Sequence, residues 1–204
     1  MNAKKTITLS LAALLALALL SGCGGKQSPE PPVDVPAAAQ DSPGEPGASA
    51  LGSLASFTAG TLDGGTFTQD DVAAKDVTVF NFWSLTCAPC IAEMPELAEF
   101  AKALPDNVAV VTVCLDGYGN EDAAREVLEK AGFEGITLIS GDGDLLDLSA
   151  NLMYTPTTVL ADSQGTLVGE AIIGGQQDLS GSFLKAVNQV LSAGGKDEIS
   201  LENT

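Results

Sequence analysis

Cys87 and Cys90 stand two residues apart in Cys87-Ala88-Pro89-Cys90, directly after the apolar run Val77 to Trp83 and at the start of a stretch with helical spacing. Two cysteines so placed can pass reversibly between dithiol and disulfide. Cys87 attacks a foreign disulfide, and Cys90 is close enough to resolve the mixed disulfide that forms. A helix N-terminus presents unpaired backbone N–H groups and a partial positive charge, which favours thiolate over thiol on Cys87. Half of a zinc site and a structural disulfide are the other uses of such a pair. Zinc takes about four ligands, whereas the chain has no histidine and only two further cysteines, Cys23 and Cys114, not themselves a motif. Redox chemistry is therefore the expectation.

The surrounding elements must hold this pair at a strand-to-helix junction. Val77 to Trp83 reads as a central strand buried on both faces, and Val108 to Leu115 as a second. The helix after the cysteines runs from near Ala88 to Leu104, with Ile91, Met94, Leu97, Ala98 and Ala101 as its expected buried stripe. Phe57 to Phe67 is a short β entry that turns at Gly64-Gly65, and Gln69 to Ala74 one or two helical turns. Asn120 is placed to cap a helix over Glu121 to Ala131 that Gly132 ends, with a short strand at Thr137 to Ile139 beyond. A helix from about Leu145 to Leu152 precedes strands at Thr157 to Ala161 and Leu167 to Ile173, joined as a hairpin, and a last helix covers Leu179 to Ser192. The order implies an α/β fold, a central mixed sheet flanked by helices on both faces.

Residues 1–22 read as a secretory signal peptide. Lys4 and Lys5 precede an apolar stretch from Ile7 to Leu20, and Leu20-Ser21-Gly22-Cys23 is similar to a bacterial lipobox, with Cys23 as the lipidated first residue. An uncleaved anchor is the other reading, but the apolar run is short against the roughly 20 residues of a spanning helix. Residues 23–56 hold the lipidated Cys and a disordered linker with six of the ten prolines. As a flexible leash it reaches about 30 Å. The folded part is expected over residues 57–193, with a polar, frayed tail at 194–204. Loss of Lys4 and Lys5 leaves seven basic residues against 27 acidic ones, a net charge near −20. Nucleic acid and bare anionic lipid are excluded as partners, since phosphate binding needs a basic surface.

The run Phe82-Trp83-Ser84-Leu85-Thr86-Cys87-Ala88-Pro89-Cys90, followed by Glu93-Met94-Pro95, resembles the thioredoxin superfamily and within it the TlpA/ResA-like extracytoplasmic thiol-disulfide oxidoreductases. The similarity covers about Phe57 to Val190, and Gly119 to Ile139 resembles the extra helix-strand insertion of that branch. The resemblance implies a thioredoxin fold, with Cys87 as exposed nucleophile, Cys90 as the buried resolving thiol, and no cofactor beyond the Cys87–Cys90 disulfide. Thr155-Pro156 looks like the family's cis-proline loop, with the Thr155 backbone free to pair with an extended substrate; an ordinary trans proline opening a strand is the alternative. Trp83, Ala88 and Pro89 join Thr155 and Pro156 as implied substrate-binding residues, with Trp83 expected to pack beneath the active-site loop and plain core as its alternative. Asn81 stands where thioredoxins carry a buried aspartate. By the same resemblance Glu93 takes over its proton-transfer role, three residues after Cys90 on one helix face; a solvated surface glutamate is the bland alternative.

These expectations converge on a membrane-tethered thiol-disulfide oxidoreductase, held outside the cytoplasm by lipid on Cys23. By the resemblance it reduces extracytoplasmic protein disulfides, in cytochrome c maturation or oxidised-protein repair, and is recharged by a membrane electron-transfer protein of the CcdA/DsbD type. A disulfide-forming oxidase uses the same chemistry in reverse. A thiol peroxidase needs a threonine three residues before its cysteine and an arginine for peroxide, whereas Ser84 holds that place and Arg125 is the mature chain's only arginine. A noncatalytic binding lipoprotein is the remaining reading. Cys114 is expected as a buried small hydrophobe or, alternatively, a second redox group. Asp116 and the aspartates from Asp142 to Asp147 fit turns better than any calcium loop.

Overall fold

The computed structural model describes residues 48–201. The signal segment, Cys23 and most of the linker lie outside the described residues. No helix among the described residues is long and apolar enough to cross a membrane.

Eight strands form one sheet in the order β1-β8-β7-β4-β5-β6-β2-β3. They are β1 (Ala48–Ser53), β2 (Thr58–Thr61), β3 (Thr66–Thr68), β4 (Val77–Trp83), β5 (Val108–Cys114), β6 (Ile136–Gly141), β7 (Thr157–Asp162) and β8 (Thr166–Ile173). Only β4–β5 and β5–β6 pair in parallel; the other contacts are antiparallel, so the sheet is mixed. Helices α1 (Gln69–Ala73), α2 (Ala88–Ala103), α3 (Glu121–Ala131), α4 (Gly143–Asn151) and α5 (Leu179–Ala193) complete the fold.

Alternation along β4 builds two cores. Val77, Val79 and Trp83 face α2, α3 and α5, while Phe80 and Phe82 face α1 and α4. Every residue of β4 is buried, as its unbroken apolar and β-branched run requires of a strand covered on both sides. The two parallel crossovers, through α2 and α3, bring the C-terminal ends of β4, β5 and β6 to one end of the molecule. The first residue of β7, Thr157, lies opposite Phe82 and Ile173. The loop before β7 and the loop after β8 therefore open at that same end.

Four expectations need correction. The composition of residues 23–56 reads as linker throughout, but β1 lies inside that range, paired with β8. Leu54 is fully buried and its N–H donates to the Gly165 carbonyl at 2.7 Å. The strand is legible only from its partner: Ala-Ser-Ala-Leu-Gly-Ser has little strand propensity, and the open edge of β8 recruits it. The contact is close enough that a Cβ on Gly165 would sit 2.6 Å from the Leu54 oxygen, at a φ of +76°. Over residues 194–201 the tail is not frayed. Ile199 and Leu201 pack on the core, Asn188 exchanges two 2.9 Å hydrogen bonds with the Ile199 backbone, and Lys196 pairs with Asp76 at 2.9 Å.

On α2, Ile91 is exposed and Glu93 buried. Met94, Leu97 and Ala98 are buried as expected and Ala101 packs on the core, while Cys90, Glu93 and Phe100 complete the inward face in place of Ile91. Asn120 occupies the N-cap of α3 without a side-chain cap; its amide instead donates to the Asp116 carbonyl at 2.8 Å. Gly132 closes that helix in the left-handed conformation, as expected.

Candidate active site

Cys87 is the N-cap residue of α2, and its Sγ accepts from the Cys90 N–H at 3.3 Å. Pro89 fits the first turn, where a missing N–H costs no helical hydrogen bond. The two sulfurs are bonded, with the Cα atoms 5.3 Å apart. Cys87 keeps 8 % of its surface exposed against 1 % for Cys90, and Ala88 and Pro89 between them are exposed. A foreign sulfur can therefore approach only Cys87. Once the bond is broken, the helix N-terminus and the Cys90 N–H stabilise a thiolate there.

The segment leading to Cys87 is tied down from the neighbouring strand. The Trp83 carbonyl accepts from Leu115 N–H at 2.9 Å, and Asp116 Oδ1 accepts from Leu85 N–H at 2.9 Å. Asp116 is thus more than a turn residue: its carboxylate anchors the loop that carries the nucleophile. Asp142 and Asp144 act similarly at the sheet's other side, accepting from the N–H groups of Thr58 at 2.5 Å and Ser56 at 2.8 Å. Among the described residues no cluster of three or more His, Cys, Asp or Glu could hold a metal ion.

Glu93 is 9 % exposed, directly under the helix start. Its Oε1 accepts from Asn81 Nδ2 at 3.4 Å, and the same amide donates to Thr158 Oγ1 at 3.0 Å. Oε2 has no partner. Burial pushes the Glu93 carboxyl above the ordinary range; the Asn81 amide and the Gln176 backbone N–H oppose this without closing a hydrogen bond on Oε2. A Cβ placed on Gly175 would lie 3.5 Å from Oε2 and 3.7 Å from Pro89 Cβ. The loop after β8 therefore closes over both the active-site proline and the buried acid. Nothing in the sequence marks Gly175 or Thr158 for this position.

The Thr155–Pro156 peptide is cis. By register Pro156 lies across from Trp83, level with the loop leading to Cys87. The Pro156 carbonyl accepts from Gly174 N–H at 2.8 Å. Among the described residues neither the N–H nor the carbonyl of Thr155 has a backbone partner. Trp83 is corrected as a substrate contact: it is fully buried, its indole N–H without a partner, so it supports the loop from beneath. Cys114 pairs with Trp83 in the β4–β5 register and is 1 % exposed. Burial, with the Asp116 carboxylate beside it, pushes its thiol up to about 12, so it holds its proton at neutral pH and acts as core.

Comparison with known proteins agrees with this geometry. Residues 52–170 match the AhpC/TSA family. The thiol-disulfide oxidoreductase YkuV of Bacillus subtilis is 27 % identical over 106 residues, which cover 50 % of this chain and 71 % of that protein. Among solved structures, DsbF of Mycobacterium tuberculosis superposes with a TM-score of 0.55 at 24 % identity, over 67 % of this chain and 96 % of its own. A secreted disulfide oxidoreductase of the same organism, described as homologous to E. coli DsbE, gives 0.51 at 25 % identity, over 63 % and 94 %. With the family match spanning more than half of its length, the chain belongs to the AhpC/TSA family of the thioredoxin superfamily and is a thiol-disulfide oxidoreductase whose redox pair is Cys87 and Cys90.

Proposed function

We propose that the protein is a lipid-anchored reductase of extracytoplasmic protein disulfides. The observation that carries this reading is the Cys87 sulfur at the N-cap of α2, open to a client on one side and backed by Cys90 and a buried Glu93 whose affinity for a proton burial raises. The reduced Cys87 thiolate attacks one sulfur of a client disulfide. A mixed disulfide forms, and the client's other sulfur leaves as a thiolate that takes up a proton. Cys90 then gives its proton to the Glu93 carboxylate and attacks Cys87 Sγ. This step forms the Cys87–Cys90 disulfide and releases the client's second thiol. The Glu93 carboxyl hands that proton to the departing client sulfur, so two electrons pass from the protein to the client's disulfide, with one proton from Cys90 and one from solvent. A membrane dithiol protein of the CcdA/DsbD type restores the dithiol. The unpaired Thr155 backbone groups suit pairing with an extended client beside Pro156. Apocytochrome c and oxidised proteins awaiting repair are the client classes.

The lipobox-like Cys23 and the linker support a position at a membrane face outside the cytoplasm. A peroxidase reading gains standing from the AhpC/TSA match, but Arg125 is committed elsewhere, to Asp63 at 2.7 Å and to the Leu62 carbonyl at 2.9 Å. The deciding measurement is the reduction potential of the leaderless chain with Cys23→Ser, equilibrated with dithiothreitol and glutathione and read by Trp83 emission. A value near the roughly −270 mV of thioredoxin is expected. A value near the roughly −120 mV of DsbA would instead assign a disulfide-forming oxidase. Rapid peroxide turnover without a protein disulfide as substrate would assign the peroxidase.

A further inference from the structure

The disulfide lies at an end of the molecule whose surface chemistry is unlike the rest. The loops after β4, β5 and β6, the segment before β7 and the loop after β8 all gather there. Eight large apolar side chains are exposed among the described residues. Six of them, Ile91, Leu115, Tyr118, Met153, Tyr154 and Ile173, come from this end; Met153 is 82 % exposed and Tyr118 76 %. A seventh, Leu146, lies on α4, which crosses between β6 and β7, and only Ile136 starts a strand at the opposite end. Isolated exposed apolar residues need no explanation, but their concentration around a reactive disulfide marks an interaction surface.

Charge divides along the same axis. The segments 84–96, 115–122, 142–156 and 174–180 contain no lysine or arginine. They do carry Glu96, Asp122, Asp147 and Asp178, all exposed. Glu96 accepts from the Ser180 N–H at 3.1 Å and so holds the start of α5 beside α2. Among the described residues the basic ones sit away from these segments. Lys75 precedes β4, Lys102 and Lys130 close the last turns of α2 and α3, and Lys196 follows α5, where it pairs with Asp76. Arg125 is held by Asp63, and Lys185 lies beyond the first turn of α5. The end that meets clients is therefore apolar and uniformly anionic. Two copies meeting there face to face repel, as does an anionic bilayer; a polypeptide carrying apolar and cationic side chains is complementary to it.

Building on the disulfide-exchange reading, we propose that this end selects client segments whose cysteines lie among apolar residues and lysines or arginines. The recognised partner is an extended polypeptide, with its disulfide at Cys87, aliphatic or aromatic side chains on the Met153–Tyr154 and Leu115–Tyr118 surface, and cationic groups against Asp122, Asp147 and Asp178.

The test uses the reduced, leaderless mature chain and three disulfide substrates: a small neutral dialkyl disulfide, and two cyclic peptides of equal length and apolar content, one flanked by lysines and one by glutamates. The cationic peptide is expected to be reduced with a kcat/KM about tenfold or more above the anionic one at low salt. That ratio should collapse between about 0.01 M and 1 M salt, as the screening length falls from about 30 Å to about 3 Å. D122K/D147K should lose most of the preference while reducing the small disulfide at the unaltered rate. Equal rates for the two peptides at low salt, or preference for the anionic one, overturn the proposal while leaving disulfide exchange intact. Association of the chain with itself through this end, or binding to phosphatidylglycerol vesicles, also overturns it. Failure to reduce any of the three substrates removes the exchange reading and this proposal with it.

Discussion

Glu93 shows how far one carboxyl can be read and where its role depends on neighbours. Its position three residues after Cys90 is plain in the sequence, but its burial is not, because Met94 and Pro95 beside it fit a surface turn as well as a buried one. Only the Asn81 amide at Oε1 and the loop at Gly175, against both Oε2 and Pro89, show that it lies beneath the turn that carries the cysteines. With its affinity for protons raised on folding, Glu93 is ionised at a cost, so stability falls as pH rises from the ordinary carboxylate range through its raised value. Glu93→Gln should level that slope in urea melts taken across pH. It should also slow resolution of the mixed disulfide by about a hundredfold and flatten that step's pH profile. A stability change without a change in the pH profile would make Glu93 merely structural. Burial raises Cys114 as well: with its thiol pushed up to about 12 it should resist iodoacetamide at pH 8 in the native oxidised protein and react fully once unfolded, as peptide mapping would show. The CxxC pair was legible because its meaning lies in spacing; the place of Trp83 beneath the loop was legible too, and its burial rules out the direct substrate contact that the resemblance implied.

At the scale of elements, the strand-helix junction depends on a contact from the next loop. Asp116 holds the Leu85 N–H, and replacement by alanine leaves that donor without its partner. Asp116→Ala should destabilise the fold by about 1–3 kcal/mol and raise hydrogen exchange at Leu85 while leaving β5 protected. Unchanged exchange there would remove Asp116 from the account. Elements built on strong periodicity were legible: β4 spans the whole apolar run from Val77 to Trp83, and α5 covers the expected amphipathic stretch. Two were not. β1 draws its identity from pairing with β8 rather than from its own side chains. The buried stripe of α2 widens to admit Glu93, a polar residue that the apolar pattern does not mark as buried.

Across the whole molecule, the tail determines how the two ends differ. Asp76, at the start of β4, is held below the ordinary carboxylate range chiefly by its hydrogen bond with Lys196, with Asn107 assisting. A lowered carboxyl stabilises the folded state above its ordinary range and loses that contribution as pH falls through the lowered value. The clasp should therefore loosen in acid, seen as earlier cleavage by pepsin after Gly194 than elsewhere. Truncation after Gly194 removes Ile199 and Leu201 from the core surface and should cost about 2 kcal/mol, measured by urea denaturation, without shifting the reduction potential. An unchanged midpoint would mean that the tail packs without stabilising. The clasp also holds Lys196 beside the first residue of β4, a full strand length from the disulfide. A surface or electrode coupled through a single reactive group introduced at position 196 would thus hold every molecule with its redox pair facing outward, an orientation that random attachment through lysines cannot give.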